Sequence, residues 1–146
     1  MLLWLQRHGW WGLLAFAAAV ALRGLIDLTS GVTYQADDLT GTTIAQITAE
    51  SVAGSRLSEF TVRTGGVYLI ALGVIAAATL LFGFRRDQRW AWWAMWTLPA
   101  LAISASLLDF GFGVKGPGTS SSIVGGLGAA ILLISVPRFF RQPGGP

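Results

Sequence analysis

The sequence contains no cysteine, one histidine, two methionines and only 12% charged residues. Without cysteine there is no disulfide staple, no thiolate metal site and no thiol redox chemistry. With His8 alone, bis-histidine haem ligation within one chain and a histidine-based metal cluster are equally remote, so no metal or cofactor is expected. A soluble domain carries about 25% charged residues. This chain carries half of that, with 53% hydrophobic residues and a mean hydropathy of +0.62, which leaves too little polar surface to face water on all sides.

What is there is apolar length. The 146 residues suit one domain. Four stretches are long and apolar enough for a hydrocarbon core of about 30 Å: Trp10 to Leu28, Thr64 to Phe84, Trp90 to Leu108 and Ser121 to Val136. They hold about half the chain and predict an all-α, four-helix membrane bundle. The one long connection, Thr29 to Arg63, is the only loop large enough to carry structure. The net charge of +3 and pI near 10.2 would suit nucleic acid only as a basic stripe on a soluble face. Here the basic residues flank apolar runs, so the expected surroundings are the lipid bilayer, with a membrane-protein partner or a second copy of the chain, and no nucleic acid.

Arginine placement predicts orientation. With both termini cytoplasmic, Arg7, Arg85, Arg86, Arg89, Arg138 and Arg141 lie inside against Asp87 alone. The outside then holds Arg23, Arg56, Arg63 and Lys115 against Asp27, Asp37, Asp38, Glu50, Glu59 and Asp109. The short Arg85–Arg89 loop is of the kind the positive-inside rule weighs most. All seven tryptophans, Trp4, Trp10, Trp11, Trp90, Trp92, Trp93 and Trp96, fall near the same inner ends, the pattern of an interfacial aromatic belt. A second reading of the first span remains open: Arg7 and His8, the run from Trp10 to Leu22 and the small residues Ala19-Val20-Ala21 also fit a cleavable secretory leader.

Between helices in lipid, close approach of small residues replaces the hydrophobic drive. The expected contact faces are Ala17, Ala21 and Gly24 on span one, Gly66, Gly73 and Ala77 on span two, and Ser122, Gly125, Gly126, Ala129 and Ala130 on span four. Pro99, near the centre of span three, predicts a kink that neighbouring helices accommodate by packing; the functional alternative is a widened cavity on the outer half, lined by Ser104 and Ser106. In the outer loop, Thr29-Ser30-Gly31 reads as a helix stop. Thr43 with Gln46 fits a capping box opening a short amphipathic helix, whose apolar members are Ile44, Ile47, Val52, Leu57 and Phe60, bent near Gly54.

The candidate binding residues are ionisable groups at the outer ends of spans: Arg23 and Asp27, four apart on one helix face, Arg63 at the start of span two and Asp109 at the end of span three. A charge as deep as Arg23 needs a partner or a route to water. Two arrangements satisfy this. One is a structural ion-pair network, Arg23 with Asp27 or Asp109 and Arg63 with Glu59 or Asp109. The other is a small polar pocket, roofed by residues 37–60, that takes an anionic headgroup or small ligand, and whose two carboxylates would allow proton transfer of an isomerase-like kind. Ser104, Ser106 and Ser122 have no base closer in sequence than Asp109, which argues against a serine nucleophile. No ionisable group lies at mid-membrane and the spans show no inverted repeat, so transport is disfavoured. The Gly113–Gly118 loop is an uninformative Gly/Pro connection, and Pro143-Gly144-Gly145-Pro146 reads as a disordered tail.

Phe84-Arg85-Arg86-Asp87-Gln88-Arg89-Trp90-Ala91-Trp92-Trp93, preceded by an outer loop with Thr40-Gly41 and an amphipathic segment, resembles small four-helix bacterial inner-membrane proteins without an assigned activity. The resemblance covers about residues 20 to 105 and implies a bacterial plasma membrane, with no catalytic residues to carry over. The expected function is therefore a non-enzymatic accessory or interaction subunit. The alternative is a lipid- or small-ligand-handling protein, including an isomerase-like enzyme, built on Arg23, Asp27, Arg63 and Asp109.

Overall fold

The computed structural model describes residues 8–31, 41, 43–113 and 117–140. Among these, every regular element is helical: α1 (Trp10–Ser30), α2 (Ile44–Glu50), α3 (Val52–Phe82), a 3-10 turn (Phe84–Arg86), α4 (Arg89–Ala94), α5 (Thr97–Gly111) and α6 (Pro117–Phe140). Four stretches are long and apolar enough to cross a membrane, Trp10–Ser30, Val52–Arg86, Arg89–Gly111 and Ser121–Phe140. The all-α, four-span architecture of a multi-pass membrane protein is thus the one expected. Trp4, Arg7, Asp37, Asp38, Lys115, Arg141 and the terminal Pro143–Pro146 stretch lie outside the described residues.

Boundaries differ from expectation where chemistry other than hydropathy sets them. The Thr43–Gln46 capping box forms as the spacing predicts: the Gln46 amide donates to Thr43 Oγ1 (3.3 Å) and the Thr43 amide to Gln46 Oε1 (2.8 Å), opening α2. The break that follows falls at Ser51 rather than Gly54. Ser51 is extended (φ −149°), and its hydroxyl accepts from the Gly54 amide at 3.0 Å, a side-chain N-cap that starts a new helix. That helix, α3, begins at Val52 instead of Thr64 and runs 31 residues, about 46 Å at 1.5 Å per residue. Hydropathy marks where a helix enters lipid; it does not mark where a helix starts.

Pro99 breaks its span as expected, one turn upstream of itself. It has no N–H to give the Met95 carbonyl and its ring crowds that oxygen. The chain responds by tightening to three-residue bonds, Trp96 to Trp93 (3.2 Å) and Leu98 to Met95 (3.3 Å), which separate α4 from α5. Ser104 and Ser106, expected to line one cavity, meet different surroundings. Ser104 is exposed, and buried Ser106 turns its hydroxyl back onto the Ala102 carbonyl at 2.9 Å.

The four spans pack as two hairpins, α1 against α3 and α5 against α6. The first seam is the expected small-residue face. A Cβ on Gly73 would stand 2.7 Å from the Ala17 carbonyl oxygen and 2.7 Å from the Ala21 Cβ, and Gly24 and Gly66 abut further along. The α6 face differs from the expected one. Gly125 packs on Ala102 and Ile103, and Gly128 on Phe16, whereas Gly126 faces open space and Ala130 is exposed. The contact stripe, Ser121, Gly125, Gly128, Leu132 and Ser135, keeps Gly125 of the expected face and leaves out Gly126 and Ala130.

The hairpins join chiefly at the end that carries the Phe84–Arg86 turn, here the arginine-rich end. Leu13, Leu80, Phe84, Met95, Leu98 and Leu132 are all fully buried there. Trp92, expected in an aromatic belt, is 6% exposed and belongs to this core; its indole N–H donates to the Leu132 carbonyl at 2.9 Å. Trp11, Trp90 and Trp93 are more than half exposed.

Candidate functional site

The opposite end, where α1 stops and the long loop leaves, holds the four candidate residues. The structure brings them together in pairs, without uniting them. Helix α1 ends at Gly31, whose φ of +61° is the left-handed conformation of a glycine C-cap and whose amide bonds the Asp27 carbonyl at 3.0 Å. Arg63 of α3 packs on this cap: a Cβ on residue 31 would stand 2.8 Å from the Arg63 Nε. The Arg63 Nη1 donates to the carbonyl of Leu28 at 2.6 Å. Those carbonyls have no intrahelical donor and carry the negative end of the helix dipole, so a guanidinium there satisfies both. Glu59, one turn before Arg63, holds it at 2.8 Å. Arg63 is therefore a clamp between the first two spans.

Arg23 and Asp27 form the expected pair within α1, Nε to Oδ1 3.0 Å and Nε to Oδ2 3.1 Å. Asp27 is buried, while about half of the Arg23 side chain stays exposed. Side chains on a helix normally lean toward its N-terminus; the bond to Asp27 turns Arg23 the other way, toward the helix end. Asp109 is half-buried near the end of α5 and, among the described residues, makes no ion pair with Arg23 or Arg63. The network that would have joined spans one, two and three through Asp109 is absent among these residues.

Sequence reasoning did not anticipate a cleft between the two hairpins on this same half of the bundle. Its volume is about 360 Å³, and its walls are Phe16, Val20 and Leu69 from the first hairpin and Leu101, Ala105 and Val124 from the second. Arg23 is the charged residue on its wall. No motif signals such a cleft, because its lining is indistinguishable from lipid-facing sequence. Its position follows from the fold: the large side chains that fill the interface between hairpins are concentrated at the arginine-rich end.

That end is tied by a second set of contacts that spacing alone did not reveal. Asp87 holds a positive φ of 56° and pairs with the Arg138 Nε. The Arg138 Nη2 also reaches the Arg85 carbonyl (3.2 Å), so the end of α6 fastens the turn between spans two and three. The Arg89 Nε donates to the Phe139 carbonyl at 3.2 Å, and the Arg85 guanidinium lies 4.9 Å from the Trp10 ring centre. The arginines of this end thus bind the structure together. No family model, curated protein or solved structure matches the chain.

Proposed function

We propose that the chain is a non-enzymatic protein of a bacterial plasma membrane, with both termini cytoplasmic, that acts as an accessory or interaction subunit of a larger membrane assembly. One observation carries this reading. Helix α3 is longer than a span requires, and its surface away from α1 carries a stripe of exposed apolar residues that continues past the lipid-facing Ile75 and Tyr68 to Phe60 and Leu57, each of the last two about two-thirds exposed. Apolar side chains beyond the hydrocarbon region gain by being covered. The ionisable groups nearby serve the fold: Arg63 and Glu59 clamp α1, and Asp27 is engaged by Arg23. An isomerase-like site would need two carboxylates at one cavity, and neither Asp27 nor Asp109 is on the wall of the cleft.

Photo-crosslinking side chains placed at Leu57 and Phe60 in cells test the reading. A discrete protein should be captured at both sites, co-purify in fixed stoichiometry and be lost with Phe60→Ser. Crosslinks to lipid alone would overturn it. For orientation, a periplasm-active phosphatase fused after Arg141 should be inactive; strong activity would place the arginine-rich end outside.

A further inference from the structure

We propose that the turn between the second and third spans, with the tryptophans beside it, is a binding surface for anionic phospholipid headgroups, and that Arg86, with Arg85 and Arg89, supplies the selecting charge. The surface lies at the opposite end of the molecule from Leu57 and Phe60 and does not depend on what covers them.

The charge balance of the turn carries the inference. Arg85, Arg86, Arg89 and Arg138 meet here, and Asp87, the carboxylate of the turn, is held by Arg138. Among the described residues, none of the other three arginines has an ion pair. Arg85 rests on the Trp10 ring; Arg89 donates to the Phe139 carbonyl and lies 5.5 Å from the Phe140 ring centre. Those contacts fix two guanidiniums in place and leave their charge uncompensated, since a carbonyl and a ring face offer only partial charges. Arg86 is exposed, and its side chain makes no hydrogen bond, ion pair or ring contact with a described residue. At the far end of the bundle the balance is different: Arg23 and Arg63 each have an acid one turn away on their own helix.

The surroundings decide which anion answers the turn. Asp87 and Gln88 alone separate the spanning stretches Val52–Arg86 and Arg89–Gly111, so the turn stands at a membrane face. Trp90 and Trp93 follow Arg89 within about one helical turn, and Trp11 stacks on Trp10 with ring centres 4.2 Å apart. All three are more than half exposed. Indole favours the zone between hydrocarbon and headgroups, which sets the arginines beside it at the depth of lipid phosphates. A guanidinium takes phosphate oxygens in a planar fork. An acidic segment of another protein is the rival occupant, and it would have to displace headgroups from around the tryptophans.

The test uses the full chain in nanodiscs of equal parts phosphatidylglycerol and phosphatidylcholine, prepared twice, with bromine on the acyl chains of one lipid or of the other. Bromine quenches tryptophan fluorescence on contact, so Trp11, Trp90 and Trp93 report which lipid lies beside the turn. Phosphatidylglycerol should be favoured there at least about fivefold, the scale of one arginine at an anionic surface, and added salt should weaken the preference. Arg86→Gln should lower the preference at least about twofold, and Arg85→Gln, Arg86→Gln and Arg89→Gln together should bring it near parity. Arg56→Gln, at an exposed position near the other end of α3, should leave it unchanged. Because the lipid comparison is made on the unaltered protein, poor folding of a variant does not protect the proposal. Equal quenching by the two brominated lipids, a preference that survives the triple variant, or an equal loss with Arg56→Gln would each overturn it. Displacement of phosphatidylglycerol from the tryptophans by an equimolar polyglutamate peptide would overturn it too, in favour of an acidic protein.

Discussion

Gly24 and Gly66 lie back to back across the α1–α3 seam: a Cβ on residue 24 would stand 2.5 Å from the Gly66 carbonyl oxygen, and one on residue 66 would stand 2.6 Å from that of Gly24. The obstacle is backbone on both sides, so neither helix can relieve it by a rotamer change. Gly24→Ala should therefore lower stability by about 1–3 kcal/mol through overpacking, read as a fall in Tm in detergent. Gly126 is the internal control. It faces open space, and Gly126→Ala should leave Tm unchanged or raise it slightly, since alanine is the better helix former by up to about 1 kcal/mol.

The Arg63 clamp predicts an asymmetry between its two partners. Glu59 and Arg63 are each around half exposed, a setting in which ion pairs contribute about 0–1 kcal/mol. The bond from Arg63 to the Leu28 carbonyl satisfies a helix end. Arg63→Ala should cost about 1–2 kcal/mol and Glu59→Ala well under half as much. Raising the salt concentration should erase the Glu59 effect and leave most of the Arg63 effect. Equal losses for the two variants would show that the ion pair, and not the cap, is what matters.

A double-mutant cycle separates the two acids near Arg23. Arg23 and Asp27 are in direct contact, and Arg23→Ala strands a buried carboxylate. With Arg23 half exposed, the expected coupling is about 1–2 kcal/mol in thermal or chemical unfolding. Arg23 with Asp109 should couple at close to zero. A strong Arg23–Asp109 coupling would restore the three-span network that the pairing described above replaces.

At the other end, Arg138→Lys should fail to replace Arg138. The guanidinium reaches Asp87 and the Arg85 carbonyl through separate nitrogens, a fork an ammonium group does not reproduce. Both Arg138→Lys and Arg138→Ala should lower stability by about 1 kcal/mol or more, and limited proteolysis should cut first within the Arg85–Arg89 turn.

Much of this was legible in the sequence, for identifiable reasons. Span count follows from hydropathy, the α2 start from the Thr43–Gln46 spacing, and the α1–α3 seam from the glycines and alanines on each span. The α6 face was misread because a span that is apolar all round has no polar side to orient it; Gly125, Gly126 and Gly128 are equivalent in composition and are told apart only by their neighbours. The α3 start was missed because residues 52–63 are too polar for a hydropathy span yet contain no proline, and Gly54, expected to bend the chain, sits in the first turn with its amide bonded to the Ser51 cap. The Arg23–Asp27 pair was visible because four residues on a helix are neighbours. The separation of Asp109 from Arg23 and Arg63 was not, since it depends on how one hairpin is set against the other.

Chain order and packing order coincide in this molecule, and that bears on how it is made. Span one finds its main partner in span two, and span three in span four. Synthesis delivers the chain from the N-terminus at about 5–20 residues per second, so each helix waits only for the next one to emerge. The Gly24–Gly66 seam needs nothing from the second hairpin, with one loop to close and no distant segment to hold a place for. Joining the finished hairpins through Phe84, Trp92 and Leu132 is then a docking of two preformed pairs, and the turn at Arg85–Asp87 that links them is locked by Arg138, which comes from the last of the four spans.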